Sequence, residues 1–173
     1  MTRFFDRVAE GWDQRFASDP ERLEPLTGAL DLLQATPQRV LDVGTGTGAG
    51  AMLVAGRWPD AQVTGIDVAP AMIAVARGKT NDSRIQFMVA DVATLDPGQG
   101  YDLVVLLNMP PFFEHVANLL RPGGHVVVIA SRGSTTPFFT PTRTLARGFA
   151  RHGLETVAAG AAGPGTYYLA RRP

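Results

Sequence analysis

The spacing of apolar residues changes near Pro37. Before it they recur at helical intervals: Phe4, Val8, Trp12 and Phe16 stand four apart, which predicts an amphipathic helix with an aromatic stripe and Gly11 as its point of interruption. Asp19 and Pro20 predict a second helix, with Asp19 as N-cap, Pro20 in the first turn, Leu23, Leu26, Leu30 and Leu33 as the apolar face, and an end near Pro37. Beyond that point short apolar runs alternate with helical segments. Strands are predicted near 39–43, 62–66, 85–89, 102–107, 125–130, 154–158 and 166–170, and helices near 48–57, 70–78, 112–120 and 142–151.

The runs Leu103 to Leu107 and Val126 to Ile129 are continuously apolar, as strands of a parallel sheet must be when helices cover both faces. The last two strands are joined only by residues 160–165, too few for a parallel crossover, so they should pair as an antiparallel hairpin. The expected fold class is α/β: a doubly wound, seven-stranded, mostly parallel sheet with an antiparallel C-terminal hairpin. Residues 1–37 are expected to form an N-terminal helical lid segment and residues 38–173 the main domain.

At 173 residues, with 45% hydrophobic and 18% charged positions, the chain suits one globular core. A fold of this size buries roughly 70% of the surface its unfolded chain exposes, so no staple is needed. The absence of cysteine excludes disulfides, thiolate metal sites and cysteine nucleophiles, and no metal site is expected. Lys+Arg and Asp+Glu both number 16, which argues against nucleic acid or an anionic membrane as a partner recognised by global charge. Lys79 is the only lysine, read as coding bias. No run approaches the roughly 18 apolar residues of a membrane span, and Arg3, Asp6 and Arg7 stand where a signal peptide would be apolar, so the cytoplasm is the expected compartment.

The candidate chemistry gathers after the first three strands. Asp42-Val43-Gly44-Thr45-Gly46-Thr47-Gly48 joins the first strand to its helix, and glycines there permit a tight turn and close approach of backbone to a ligand. Asp67 ends the second strand, where a carboxylate can accept two hydrogen bonds from a ribose diol. Asp91 follows the third strand. Three acids at the carboxyl ends of successive parallel strands suit a nucleoside-bearing cation, although glycine turns also arise for geometric reasons and Asp67 or Asp91 could each simply cap a helix.

Residues 38–170 resemble the class I S-adenosylmethionine-dependent methyltransferases, through Val40 to Gly48, Gly65 to Met72, Phe87 to Val92, Tyr101 to Val105 and Leu119 to Gly124 in that order. The resemblance implies S-adenosyl-L-methionine as cofactor. It implies that Asp42 and the loop of Gly44, Thr45, Gly46 and Gly48 receive the methionine end, Asp67 the ribose hydroxyls, and Asp91 with Val92 the adenine edge. Val68 and Met72 would flank the adenine, with Leu107 at the end of the fourth strand completing the set. The segment Phe5 to Asp13 is similar to the leading helix of small-molecule members of the family, including quinone-type enzymes, which makes Trp12 the candidate cover for the cofactor, with core packing as its alternative.

Methyl transfer from a sulfonium is an in-line displacement, in which the protein chiefly positions the nucleophile. A small-molecule acceptor is expected past Leu107-Asn108-Met109-Pro110-Pro111-Phe112-Phe113. Nitrogen methyltransferases acting on adenine or glutamine carry Asn/Asp-Pro-Pro-aromatic here, and Met109 interrupts that pattern; Pro110 and Pro111 have the plain alternative of opening the next helix. Residues 131–141 mix hydroxyls with aromatics and suit an acceptor-facing loop. His115, His125 and His152 give no assignable general base, so the catalytic residues stay open, as does oligomeric state. Arg143, Arg147 and Arg151 form a helical stripe read as a solvated face. Competing readings are N-methylation of a protein or nucleic-acid amine or amide, a non-catalytic cofactor-binding module that supports a partner, and an NAD-dependent oxidoreductase suggested by Gly44, Gly46 and Ala49 with Asp67.

Overall fold

The computed structural model describes residues 8–9, 11–14 and 19–173; the expected helical positions Phe4 and Phe16, and the segment from Phe5 to Arg7, lie outside them. Residues 8–9 and 11–14 are helical, with Gly11 in helical backbone. A 3-10 turn, Pro20–Leu23, leads into α1 (Glu24–Leu30). The remaining elements alternate: β1 (Arg39–Val43), α2 (Ala49–Arg57), β2 (Gln62–Asp67), α3 (Pro70–Gly78), β3 (Ile85–Val89), β4 (Tyr101–Leu107), α4 (Phe113–Leu119), β5 (Leu120–Ala130), α5 (Thr142–Ala150), β6 (Glu155–Ala162) and β7 (Gly165–Arg171).

The strands form one seven-stranded sheet in the order β3-β2-β1-β4-β5-β7-β6. All pairings are parallel except β5 with β7 and β7 with β6. Both faces of the central strands are covered, which is why their sequences are continuously apolar. Leu41, Val104, Leu106, Val126 and Val128 point into the core beneath α4 and α5. Val40, Leu103, Val105, Val127 and Ile129 point the other way, toward α1, α2 and α3. The strand order reverses between β1 and β4, and at such a switch point the flanking crossovers leave opposite faces and open a crevice at the strands' carboxyl ends.

Four expectations need correction. Asp19 makes no capping hydrogen bond; its carboxylate pairs with Arg132 Nη2 at 2.6 Å, and α1 ends at Leu30 rather than near Pro37. The spacing marked Leu26, Leu30 and Leu33 correctly as residues packed toward the sheet, but apolar spacing cannot separate an α-helix from 3-10 turns at either end of one. β5 begins at Leu120, not His125: Tyr101 pairs with Leu120 and Leu103 with His125, so residues 121–124 bulge from the ladder. Gly123, at φ +80°, and Gly124, packed on the Tyr101 carbonyl, permit that bulge. The hairpin link is also tighter than expected. Ala162 pairs with Gly165, leaving Gly163 and Pro164 as the turn, because cross-strand pairing carries the small residues 159–162 into β6 despite their weak strand preference.

At the sheet's opposite end, Asp102 Oδ2 accepts the Gln38 and Arg39 amides, each at 2.7 Å, while Oδ1 pairs with Arg121. One carboxylate thus ties the starts of β1, β4 and β5 together.

Phe149 is fully buried on α5, edge-to-face with Phe113 at 4.9 Å and stacked with Tyr168 at 5.9 Å. Truncation to alanine opens a cavity that rigid strands cannot close, so Phe149→Ala is expected to cost about 3–5 kcal/mol of stability, read from urea unfolding.

Candidate functional site

The turn after β1 is built from residues with different tasks. Gly44, Gly46 and Gly48 all have positive φ, at +69°, +55° and +88°. A Cβ on Gly48 would strike the Phe87 ring, and one on Gly44 would strike the Met109 side chain. Among the described residues nothing lies within 4 Å of where a Gly46 Cβ would stand, so of the three it is the glycine that they leave open to approach. Thr45 reaches back with its amide to the Ile66 carbonyl at 2.9 Å, fixing the turn to β2.

Asp42 stands near the carboxyl end of β1 with 1% exposure. Its Oδ2 accepts the Thr45 hydroxyl at 2.7 Å; Oδ1, lying beneath the first turn of α2 at Gly50, lacks a well-formed hydrogen bond. Burial pushes the carboxyl pKa up to about 6, with the Asp67 charge adding to the rise and the Thr45 hydroxyl and Ala51 amide opposing it. Gly50 is a residue the sequence reading missed. A side chain there would crowd Asp42 at about 3.1 Å.

Asp67 is part of the same turn: Oδ2 accepts the Gly46 amide at 3.0 Å and Oδ1 the Ala69 amide at 2.9 Å. Each oxygen keeps a second lone pair. Asp91 Oδ1 caps the 3-10 turn Val92–Thr94 through the Ala93 amide at 2.9 Å, the local role weighed for it from sequence. Val92 is buried below it and Val68 is exposed at the end of β2. Met72 is buried in a small cluster with Ala9 and Ala69, against which Trp12 and Val8 pack, while Leu107 packs toward the α1–α3 face. The structure therefore brings Asp42, the glycine turn and Asp67 into direct contact, with Trp12 above α3 nearby. It gives Met72 a packing contact and holds Asp91 on a separate turn.

These residues fit the nucleoside-bearing cation inferred from the sequence. Asp42 offers an under-satisfied buried acceptor, Gly46 an open backbone face, and Asp67 two oxygens with spare lone pairs.

Several polar contacts had no clear sequence signal because their partners are far apart in the chain. Asp13 accepts the Thr47 hydroxyl at 2.7 Å and pairs with Lys79, which also donates to the Thr47 carbonyl at 2.9 Å. Burial works to raise the Asp13 pKa, but the Lys79 and Thr47 hydrogen bonds and the Lys79 and Arg22 charges outweigh it and hold it low. The lone lysine thus clasps the first helical segment to the glycine turn. Across the switch point, Asn108 sits at φ +56°; its side chain accepts the Ser131 amide at 2.9 Å and donates to the Ser131 hydroxyl at 3.0 Å. This joins the segments leaving β4 and β5.

Between those segments is a cleft lined by Asn108, Met109, Thr136, Phe138, Thr140 and Tyr167, among others, where the sequence placed the acceptor side. Its accessible core, about 20 Å³, has room for one water. Pro110 and Pro111 do not form the first turn of α4, which starts at Phe113 after Phe112 at φ +42°. His125 is in β5 at the other end of the sheet, where burial and Arg171 lower its pKa. Arg143 and Arg147 are exposed on α5, and Arg151 is exposed at its C-cap.

Residues 40–124 match a family model described as a methyltransferase domain. The chain is 39% identical over 101 residues to a malonyl-[acyl-carrier protein] O-methyltransferase of Acetivibrio thermocellus, covering 58% of this chain and 36% of that protein. It is 39% identical over 119 residues to a trans-aconitate 2-methyltransferase of Escherichia coli, covering 62% and 45%. The chain thus spans less than half the length of these curated relatives. In fold it is similar to the N-methyltransferase NodS of Bradyrhizobium japonicum, solved with S-adenosyl-L-homocysteine, at a TM-score of 0.77 and 20% identity over 99% of this chain and 98% of that one.

Because the folded-state pKa of Asp42 lies above that of an unfolded carboxylate, its protonation stabilises the fold fully below about pH 4, and that contribution is lost as pH rises through about 6. Asp42→Asn is therefore expected to be more stable than the parent at pH 7.5, by on the order of 2–3 kcal/mol, with the difference vanishing near pH 4 in urea titrations. Lys79→Met removes a partly exposed ion pair and should cost less than about 1 kcal/mol overall. In a Trp58→Phe background it should shift Trp12 fluorescence to the red as the clasp loosens.

Proposed function

For a chain that belongs to the class I S-adenosylmethionine-dependent methyltransferases, we propose methyl transfer to a small-molecule acceptor by in-line displacement at the β1/β4 switch point. The observation that carries this reading is the junction of Asp42, the open face of Gly46 and Asp67 on one side of the switch with the Asn108–Ser131 cleft on the other. The cofactor, when bound, supplies an electrophilic methyl group on a positively charged sulfur.

Asp42 holds negative charge near the cofactor's methionyl ammonium, and Asp67 accepts from its ribose hydroxyls while keeping the Gly46 amide in place. Asp91 and Val92 take the adenine edge, and residues 1–37, clasped through Asp13, cover the ligand. The Asn108–Ser131 pair fixes the rim past which the acceptor enters. Orienting the two reactants within about 3–3.5 Å is the main catalytic work, because the leaving thioether needs no proton.

The acceptor class we favour is a carboxylate. The two curated relatives are named for malonyl and trans-aconitate substrates, both of which carry carboxylates. A carboxylate is already ionised at neutral pH and attacks without a general base. We place the protein in the cytoplasm; among the described residues no helix is long and apolar enough to cross a membrane.

Calorimetric titration with S-adenosylhomocysteine, run beside NAD, is expected to give micromolar-range binding of the former alone. Asp67→Ala should weaken it at least about tenfold, since a hydrogen bond to a charged group contributes roughly 1.5–3 kcal/mol. Labelled-methyl transfer to di- and tricarboxylates, and to malonyl thioesters, should yield base-labile esters. Binding of NAD alone would overturn the cofactor class, and base-stable methylation of amines would overturn the carboxylate.

A further inference from the structure

Met109 touches both halves of this site. Its side chain is packed on Gly44, so that a Cβ there would be 2.6 Å from Met109 Cγ and Cε. The same residue lines the cleft between the β4 and β5 exits. It therefore forms the partition between the turn that takes the cofactor's methionine end and the space assigned to the acceptor.

The backbone carrying this partition is held on both sides. Asn108 donates its amide to the Ile129 carbonyl at 2.8 Å, and its side chain makes two hydrogen bonds to Ser131. On the other side Pro110 and Pro111 fix φ, and Phe112 occupies the left-handed region. A segment so constrained cannot retreat cheaply as a whole. The methionine side chain can, because it is unbranched and has three rotatable bonds.

We propose that Met109 is a gate: its thioether, packed on Gly44, stands where the methionyl arm of the cofactor would lie, and swings aside on binding to become the acceptor cleft's inner wall. This rests on the cofactor reading above. It gives Met109 two consequences. The closed position lowers apparent cofactor affinity by the fraction of molecules in which the gate is open, and the displaced side chain sets how large an acceptor fits beside the methyl group.

The test compares S-adenosylhomocysteine with adenosine, which lacks the methionyl arm, by calorimetry and stopped-flow binding. Met109→Ala should bind the homocysteine compound about three- to tenfold more tightly, through faster association, with adenosine affinity unchanged. Met109→Ile keeps the volume but stiffens the side chain at Cβ, and should slow association several-fold in a protein whose melting temperature is close to the parent's. If the parent binds S-adenosylhomocysteine and both variants match it, the gate is wrong and the cofactor reading stands. Weaker binding by folded Met109→Ala, with Met109→Ile unaffected, would make Met109 a fixed wall of the site and overturn the gate. If the parent binds neither ligand, the cofactor reading itself fails and the gate with it.

Discussion

Asp42 is a carboxylate with 1% exposure at the end of a central strand, and the surrounding architecture is shaped by having to tolerate it. Desolvation makes its charged form costly, as its raised pKa records, and one threonine hydroxyl meets only part of its hydrogen-bonding demand. The first turn of α2 comes close enough to help only because residue 50 is glycine. Gly65 in turn admits the Thr45 side chain that serves Asp42, and the Phe87 ring that closes over it. Asp42 is thus a buried acid whose charged form burial disfavours and which the surrounding turn only partly satisfies.

Polar contacts extend outward from this turn along the carboxyl ends of the strands. Charges alternate from Lys79 to Asp13, past Arg22, to Asp19 and Arg132, with Arg22 half-buried between the two aspartates. This series runs from the glycine turn's side of the switch point to the segment leaving β5. Each exposed pair is worth little by itself. Together they tie the first helical segment and the 3-10 turn to the segment leaving β5, where Asn108 and Ser131 add a link to β4 without charge. The crevice is thereby fastened by ion pairs that water and salt can loosen and, at the β4 and β5 exits, by neutral hydrogen bonds in a constrained backbone.

Much of this was legible before the fold was known, for reasons that differ by residue. The run from Leu103 to Leu107 could be read as a doubly covered strand because burial on both faces removes the polar alternation; Leu103, Val104, Val105 and Leu106 are all fully buried. The hairpin followed from the shortness of the link before β7. Asp42, Gly46 and Asp67 were legible because each is close in sequence to the strand end it serves. The division of labour among Gly44, Gly46 and Gly48 was not, since it depends on Met109 and Phe87, which arrive from other strands. Asp19 was misread for a similar reason: a local cap and an ion pair 113 residues away call for the same amino acid.

Sequence by itself determined the order of elements, the two-sided burial of the central strands and the three acids at the carboxyl ends of successive strands. These depend on periodicity, chain length and residues adjacent to a turn, all of which are local. Tertiary structure alone decided which glycine stays open, that Lys79 clasps Asp13, that Asn108 holds Ser131, and that Met109 stands between the two halves of the crevice. Those outcomes depend on which side chains the strand order 3-2-1-4-5-7-6 brings within contact, and contact across a sheet leaves no period in the chain to read.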